Sequence, residues 1–235
     1  MKKREVIIAC DFQSAEETFL FLEKIGEERL FLKIGMELFY AEGPDIVRRL
    51  KYMGHRVFLD LKLHDIPNTV ERTMRNLARL GADMTNLHAG GGSIMMRAAL
   101  EGLEAGSNGE RPLLVAVTQL TSTSQELMNR ELLIDLKMED VVAHYARNAL
   151  GCGLDGVVCS PLEASLVKRA CKPDFLTVTP GIRYASGADD QKRVTTPEEA
   201  RKLGSDYIVV GRPITAAEDP ESAYRKIAAE FIGQE

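Results

Sequence analysis

One stretch of the chain concentrates groups that could do proton and charge chemistry: Phe58-Leu59-Asp60-Leu61-Lys62-Leu63-His64-Asp65-Ile66-Pro67. Side chains alternate along an extended strand, so Asp60 and Lys62 share one face while Leu59 and Leu61 share the other. If the leucines meet a hydrophobic layer, both charges point the opposite way, and Asp65 falls in the loop that follows. A lone Asp–Lys pair at a strand end also reads as a structural ion pair, because such pairs perturb pKa values without doing chemistry. Lys33 shifts that balance by adding a second cation just before Ile34-Gly35, and Asp11 ends an earlier apolar run. Burying such a cluster is costly unless the signs interleave and the cluster anchors a ligand. An ammonium held there can stabilise negative charge on a substrate and then supply a proton.

Two further segments could grip an anion. One is Thr179-Pro180-Gly181-Ile182-Arg183 and the other Gly211-Arg212-Pro213-Ile214-Thr215. Glycine lets backbone amides approach phosphate oxygens, and arginine offers a planar fork of donors. Either segment alone reads as a turn beside a surface arginine; together they suggest a phosphate site.

The elements that must position these groups follow a regular rhythm. Apolar, β-branched runs occupy residues 6–10, 30–34, 57–61, 84–88, 113–118, 156–159, 175–179 and 207–210, several of them continuous as in parallel strands covered on both sides. Helical periodicity fills residues 14–25, 44–53, 69–80, 93–102, 139–150, 162–170, 196–203 and 220–231, with Ser14 and Glu17 as a capping box for the first. Gly54, Gly81 and Gly204 stand where helices should end. Strict alternation without a low-complexity linker predicts an α/β fold, a single (β/α)8 TIM barrel over residues 1–235, although an open doubly wound sheet has the same periodicity. In such a barrel, function belongs at the carboxyl ends of the strands, and the loops after strands seven and eight form the usual phosphate pocket. Residues 121–137 make a longer connection than a barrel needs, so they are a candidate substrate lid.

The 235 residues are 45% hydrophobic and 28% charged, enough to bury a large core. A net charge of −5 argues against a nucleic-acid surface. The basic start Met1-Lys2-Lys3-Arg4 is followed by an apolar stretch too short for a signal peptide, and no run reaches membrane-spanning length. Cys10, Cys152, Cys159 and Cys171 have no metal-ligand spacing and read as reduced thiols, which points to the cytoplasm. His55 and His144 read as ordinary surface or core residues, His64 as support for the loop and His88 as a structural hydrogen-bonding group.

Asp60-Leu61-Lys62-Leu63-His64-Asp65-Ile66-Pro67-Asn68-Thr69 closely resembles the D-x-K-x-x-D-I-P-x-T signature of orotidine 5′-phosphate decarboxylases. The resemblance extends over nearly the whole chain and is greatest to the shorter bacterial branch. It includes Asp11-Phe12, Lys33-Ile34-Gly35-Met36-Glu37, Val117-Thr118-Gln119-Leu120-Thr121-Ser122, Thr179-Pro180-Gly181-Ile182-Arg183 and Val209-Val210-Gly211-Arg212-Pro213-Ile214. It implies decarboxylation of orotidine 5′-monophosphate to UMP and CO2 without cofactor or metal, in a homodimer with sites at the subunit interface. Lys62 would then protonate C6, Asp60 would lie beside the substrate carboxylate, and Lys33 would bridge Asp60 and the ribose. Asp65 would come from the other subunit, with Ile66 and Thr69 on the same loop. Asp11 would bind ribose hydroxyls, Thr121 would lie near the base, and Pro180 would line the site. Gln191, Arg212 and the Gly211 amide would hold the phosphate, with Arg183 arranging the loop around it. The rival reading is a Mg2+-dependent sugar-phosphate decarboxylase or aldolase of the same superfamily, whose members resemble one another in an acidic residue where this chain has Lys33. A non-catalytic nucleotide-binding barrel would have lost a lysine or aspartate from the cluster, and none is lost.

Overall fold

The computed structural model describes residues 4–26, 29–184 and 195–233. The chain runs β1 (Glu5–Cys10), α1 (Ala15–Ile25), β2 (Phe31–Gly35), α2 (Met36–Glu42), α3 (Asp45–Tyr52), β3 (Arg56–Leu63), α4 (Pro67–Arg79), β4 (Met84–His88) and α5 (Gly92–Gly106). It continues with β5 (Leu113–Val117), α6 (Gln125–Arg130), α7 (Met138–Gly151), β6 (Gly156–Val158), α8 (Ala164–Ala170) and β7 (Leu176–Thr179). The last elements are α9 (Pro197–Leu203), β8 (Tyr207–Val210), α10 (Arg212–Thr215) and α11 (Pro220–Ile232). All neighbouring strands are parallel and β8 pairs back onto β1, so the sheet closes into the expected barrel. No described helix is long and apolar enough to cross a membrane.

Strand alternation divides the hydrophobic side chains into two layers. Ile7, Phe31, Phe58, Met84, Val115, Val178 and Val209 fill the barrel interior. Ile8, Leu32, Leu59, Leu114, Val157 and Ile208 point outward beneath the helices. The inward parity continues upward from Ile7 and Ala9 to Asp11, from Phe31 to Lys33, and from Phe58 to Asp60 and Lys62. The same alternation that packs the core therefore delivers the charges to the mouth.

Helices α4 and α5, which flank β4, pack closely. A Cβ on Gly102 would fall 2.2 Å from the Glu71 carbonyl oxygen, and one on Gly106 would fall 2.3 Å from that of Arg75. These glycines serve close approach rather than termination, so α5 runs to Gly106 instead of ending at residue 102.

The amino end of the barrel carries a repeated device. Gly81-Ala82-Asp83, Gly153-Leu154-Asp155 and Gly204-Ser205-Asp206 lead into β4, β6 and β8. Each aspartate accepts from the amide of the second residue of the preceding strand: Val57 to Asp83 at 2.7 Å, Leu114 to Asp155 at 2.7 Å and Thr177 to Asp206 at 2.8 Å. Each also holds a cation, Lys51 at 2.6 Å, Arg111 at 2.6 Å and Lys168 at 2.5 Å respectively.

Candidate active site

A cavity of about 480 Å³ opens at the carboxyl end of the strands. Asp11, Lys33, Asp60 and Lys62 line one side of it; Thr121 and Ser122 after β5, Pro180, Gly181 and Arg183 after β7, and Gly211 and Arg212 after β8 line the rest. The site is thus assembled from six loops or strand ends, each contributing a short polar segment.

The charges form a row of alternating sign. Lys33 Nζ lies 2.8 Å from Asp11 Oδ1 and 3.4 Å from Asp60 Oδ2, and Lys62 Nζ lies 2.6 Å from Asp60 Oδ1. Asp60 is the centre of this arrangement, with an ammonium on each oxygen. Burial alone would push its carboxyl up, but Lys33, Lys62 and the hydrogen bonds from Lys62 and Asn86 outweigh that and hold it below the ordinary carboxylate value. Burial would likewise depress the Lys33 ammonium, yet Asp60 and Asp11 together hold it above its usual value. Both groups therefore stay charged at neutral pH. A Cβ at Gly35 would lie 3.2 Å from Lys33 Nζ, so the glycine leaves the room into which this ammonium folds.

The backbone at Lys62 is unusual. Its φ is +50°, a left-handed conformation that costs an L-residue about 1–2 kcal/mol. The β3–β4 register is interrupted between Leu59 and Leu63, so the strand is irregular where it presents the lysine. Asn86 on β4 bridges the irregularity: its Oδ1 accepts from the Lys62 backbone amide at 2.8 Å, and its Nδ2 donates to Asp60 Oδ1 at 2.6 Å. The sequence reading did not single out Asn86. The available signal was weak, an asparagine at an inward position of a strand that also holds Thr85 and His88.

Asp65, Ile66 and Thr69 are exposed and do not line this cavity. The Asp65 carboxylate accepts from the Ile66 amide at 2.6 Å. Gln191 lies outside the described residues. The candidate lid folds on itself: Ser124 caps α6, Gln125 Nε2 donates to the Leu136 carbonyl at 2.7 Å, and Asn129 Nδ2 donates to that of Ile134 at 2.6 Å.

The histidines and cysteines take other places. His55 is buried and its Nδ1 accepts from the Leu30 amide at 3.2 Å, while His144 is exposed. His64 and His88 bring their rings within 5.7 Å, and burial, His64 and Lys62 depress the His88 imidazolium. All four cysteines are free, and burial pushes the Cys10 thiol up to about 12, so it stays unreactive. Among the described residues no group of three or more His, Cys, Asp and Glu side chains is placed to hold a metal ion.

Residues 4–227 match the family described as "Orotidine 5'-phosphate decarboxylase / HUMPS family". An orotidine 5′-phosphate decarboxylase of Geobacillus sp. (strain WCH70) is 56% identical over 232 residues, 97% of each chain. The crystal structure of orotidine 5′-phosphate decarboxylase from Lactobacillus acidophilus superposes with a TM-score of 0.88 at 45% identity, covering 97% of this chain and 99% of that one. An uncharacterized conserved protein from Geobacillus kaustophilus gives the same TM-score at 50% identity, covering 96% and 99%.

Proposed function

The chain belongs to the orotidine 5′-phosphate decarboxylase / HUMPS family, and from that premise we propose that it converts orotidine 5′-monophosphate to UMP and CO2 in pyrimidine biosynthesis, with Lys62 as the proton donor. The observation that carries this reading is the partly buried order of charge at the mouth, Lys33–Asp60–Lys62, with contacts of 3.4 and 2.6 Å.

Breaking the bond from C6 to the carboxylate releases CO2 and leaves the electron pair on C6. No conjugated sink accepts that pair, so the site itself must stabilise the carbanion. The Lys62 ammonium does so electrostatically, then passes one proton to C6 and regains one from solvent. Asp60 sits beside the departing carboxylate and raises the ground state, and Lys33 keeps Asp60 ionised while reaching toward the ribose. Asp11 accepts from ribose hydroxyls, and Thr121 and Pro180 border the base. The Gly211 amide, Arg212 and Gln191 hold the phosphate, with Arg183 shaping the loop between them. Binding energy from these remote contacts closes residues 121–137 over the substrate and orients its base.

One barrel domain over residues 1–235 carries this chemistry, and two copies complete it. Asp65, Ile66 and Thr69 enter the site of the second copy. Their exposure supports this, as does the apolar surface beside them: Ile66 is 66% exposed and Ile94, at the start of α5, 72%. Exposed large aliphatic side chains on adjacent βα units are what an interface between subunits would cover. The free cysteines accord with a cytoplasmic enzyme.

The Mg2+-dependent reading fits the site less well. Lys33 Nζ already stands between the Asp11 and Asp60 carboxylates, where its charge opposes a divalent cation. A single assay tests both readings: loss of orotidine 5′-monophosphate absorbance in the presence of chelator, for the wild type and Lys62→Ala. The expected outcome is chelator-resistant turnover in the wild type and its near-complete loss in Lys62→Ala, which still binds UMP. Substantial turnover by Lys62→Ala, or strict Mg2+ dependence, sinks the assignment.

A further inference from the structure

We propose that Asn86 is a positioning residue of this decarboxylation, fixing both the backbone from which Lys62 projects and the carboxylate that faces it; the inference rests on the reading of Lys62 as proton donor. Asn86 is fully buried and stands behind the lining of the cavity rather than in it. Its role is therefore exerted on the protein and not on the substrate.

The need for it arises in the sheet. Phe58 pairs with Met84 and Leu59 with Thr85, and pairing resumes at Leu63 with Leu87. Asp60, Leu61 and Lys62 thus stand opposite a single residue of β4, Asn86. Regular ladder bonds cannot serve that mismatch. The carboxamide supplies two instead, one as acceptor from the Lys62 amide and one as donor to Asp60 Oδ1, at 2.8 and 2.6 Å. These partners also settle which way the carboxamide points, because an N–H must face oxygen and a carboxylate must face NH2.

Lys62 has φ +50°, a conformation lysine rarely adopts unless its surroundings impose it. The bond to Asn86 is the described contact that holds its amide there. The same side chain occupies Asp60 Oδ1 alongside Lys62 Nζ, so the ammonium meets a carboxylate that cannot swing away. Asparagine is suited to both tasks at this length. Aspartate would keep the acceptor but lose the donor and set a second charge against Asp60; alanine would lose both bonds.

The test compares Asn86→Ala, Asn86→Asp and Thr85→Val, with Lys62→Ala run beside them. Thr85 provides the control because its hydroxyl donates to the Leu59 carbonyl at 3.2 Å on the same strand, away from the charged row. Each variant is characterised by kcat and KM for orotidine 5′-monophosphate, with turnover normalised to the sites that bind UMP. A misplacement of an ångström costs on the order of a hundredfold in rate. The kcat per site should fall by about that factor in Asn86→Ala and by at least about tenfold in Asn86→Asp, with KM and the UMP dissociation constant within about threefold. Thr85→Val should keep the wild-type kcat. Asn86→Asp carries the test alone if Asn86→Ala does not fold. Wild-type kcat per site in the Asn86 variants overturns the proposal, as does a fall matched by lost UMP affinity or by Thr85→Val. If Lys62→Ala proves inactive while the Asn86 variants turn over normally, this inference fails and the functional reading survives; turnover by Lys62→Ala removes the premise itself.

Discussion

Replacing Lys33 by methionine removes one ammonium while keeping much of the side-chain volume, and the structure fixes both the size and the pH dependence of the consequence. At 3.4 Å from Asp60, the attraction lost is about 5 kcal/mol at an effective dielectric near 20. The contact to Asp11 adds at most about 1 kcal/mol, because that side chain is 60% exposed and screened by solvent. The ammonium's own desolvation no longer opposes folding, so the net loss at neutral pH should be about 3 kcal/mol, at the lower end for breaking one buried pair. For a chain of this length that corresponds to a fall in Tm of roughly 6–12 °C. The sign of the pH dependence follows from Asp60. Its carboxyl lies below the ordinary 3.8 in the wild type, so its contribution is present above that pH and is lost as the pH falls through the lower folded value. Without Lys33, burial is opposed by less, the carboxyl moves up, and protonation relieves the variant as the pH drops. Urea denaturation at pH 5 and pH 8, at one protein concentration so that any self-association contributes equally, should show the larger deficit at pH 8. An equal deficit at both pH values, or a Lys33→Met variant as stable as wild type at pH 8, would refute the reasoning.

Gly35→Ala suits the backbone, with φ at −85°, but brings a Cβ to 3.2 Å from Lys33 Nζ. It should lower kcat/KM by about tenfold while costing under about 1 kcal/mol in stability; wild-type kcat/KM would show that the ammonium's position is not critical. If Asp65 acts across a subunit interface, inactive Lys62→Ala and Asp65→Ala proteins, unfolded and refolded together, should recover about a quarter of wild-type activity, because half the dimers then contain one intact site. No recovery, with mixed dimers demonstrated, would place Asp65 in its own subunit's site.

Much of the architecture was legible because it depends on local pattern. The eight strands lie within two residues of their expected bounds, since parallel strands must be apolar on both faces. The charges at 11, 33, 60 and 62 were legible through alternation, and the structure brings all four to one cavity. Helix α2 was not anticipated: it spans seven residues, buries Leu38 alone and so shows no apolar stripe. Helix α8 begins at Ala164 rather than residue 162 because Ser160 caps a separate 3-10 turn, Pro161–Glu163. Asn86 escaped notice because one asparagine within a strand carries no spacing signature, and its value depends on a mismatch in register between two strands. The left-handed Lys62 is equally silent in sequence, since nothing but the bulge and its tether demands that φ. Asp65, Ile66 and Thr69 belong to the site only through the family resemblance, since within the chain they are exposed and outside the cavity.

The three Gly-x-Asp caps at the floor of the barrel have a reach their position conceals. Each binds the amide of one strand's second residue to the start of the next, so each pins a register, and parallel strands slip only in whole residues. A slip at β4, β6 or β8 would not blur the mouth; it would exchange inward for outward and raise one wall of the site by a residue relative to its neighbour. The alignment of Asp60 and Lys62 with Asn86, across β3 and β4, is thus surveyed from the opposite end of the molecule, as the height of a rim is set by the footings under it.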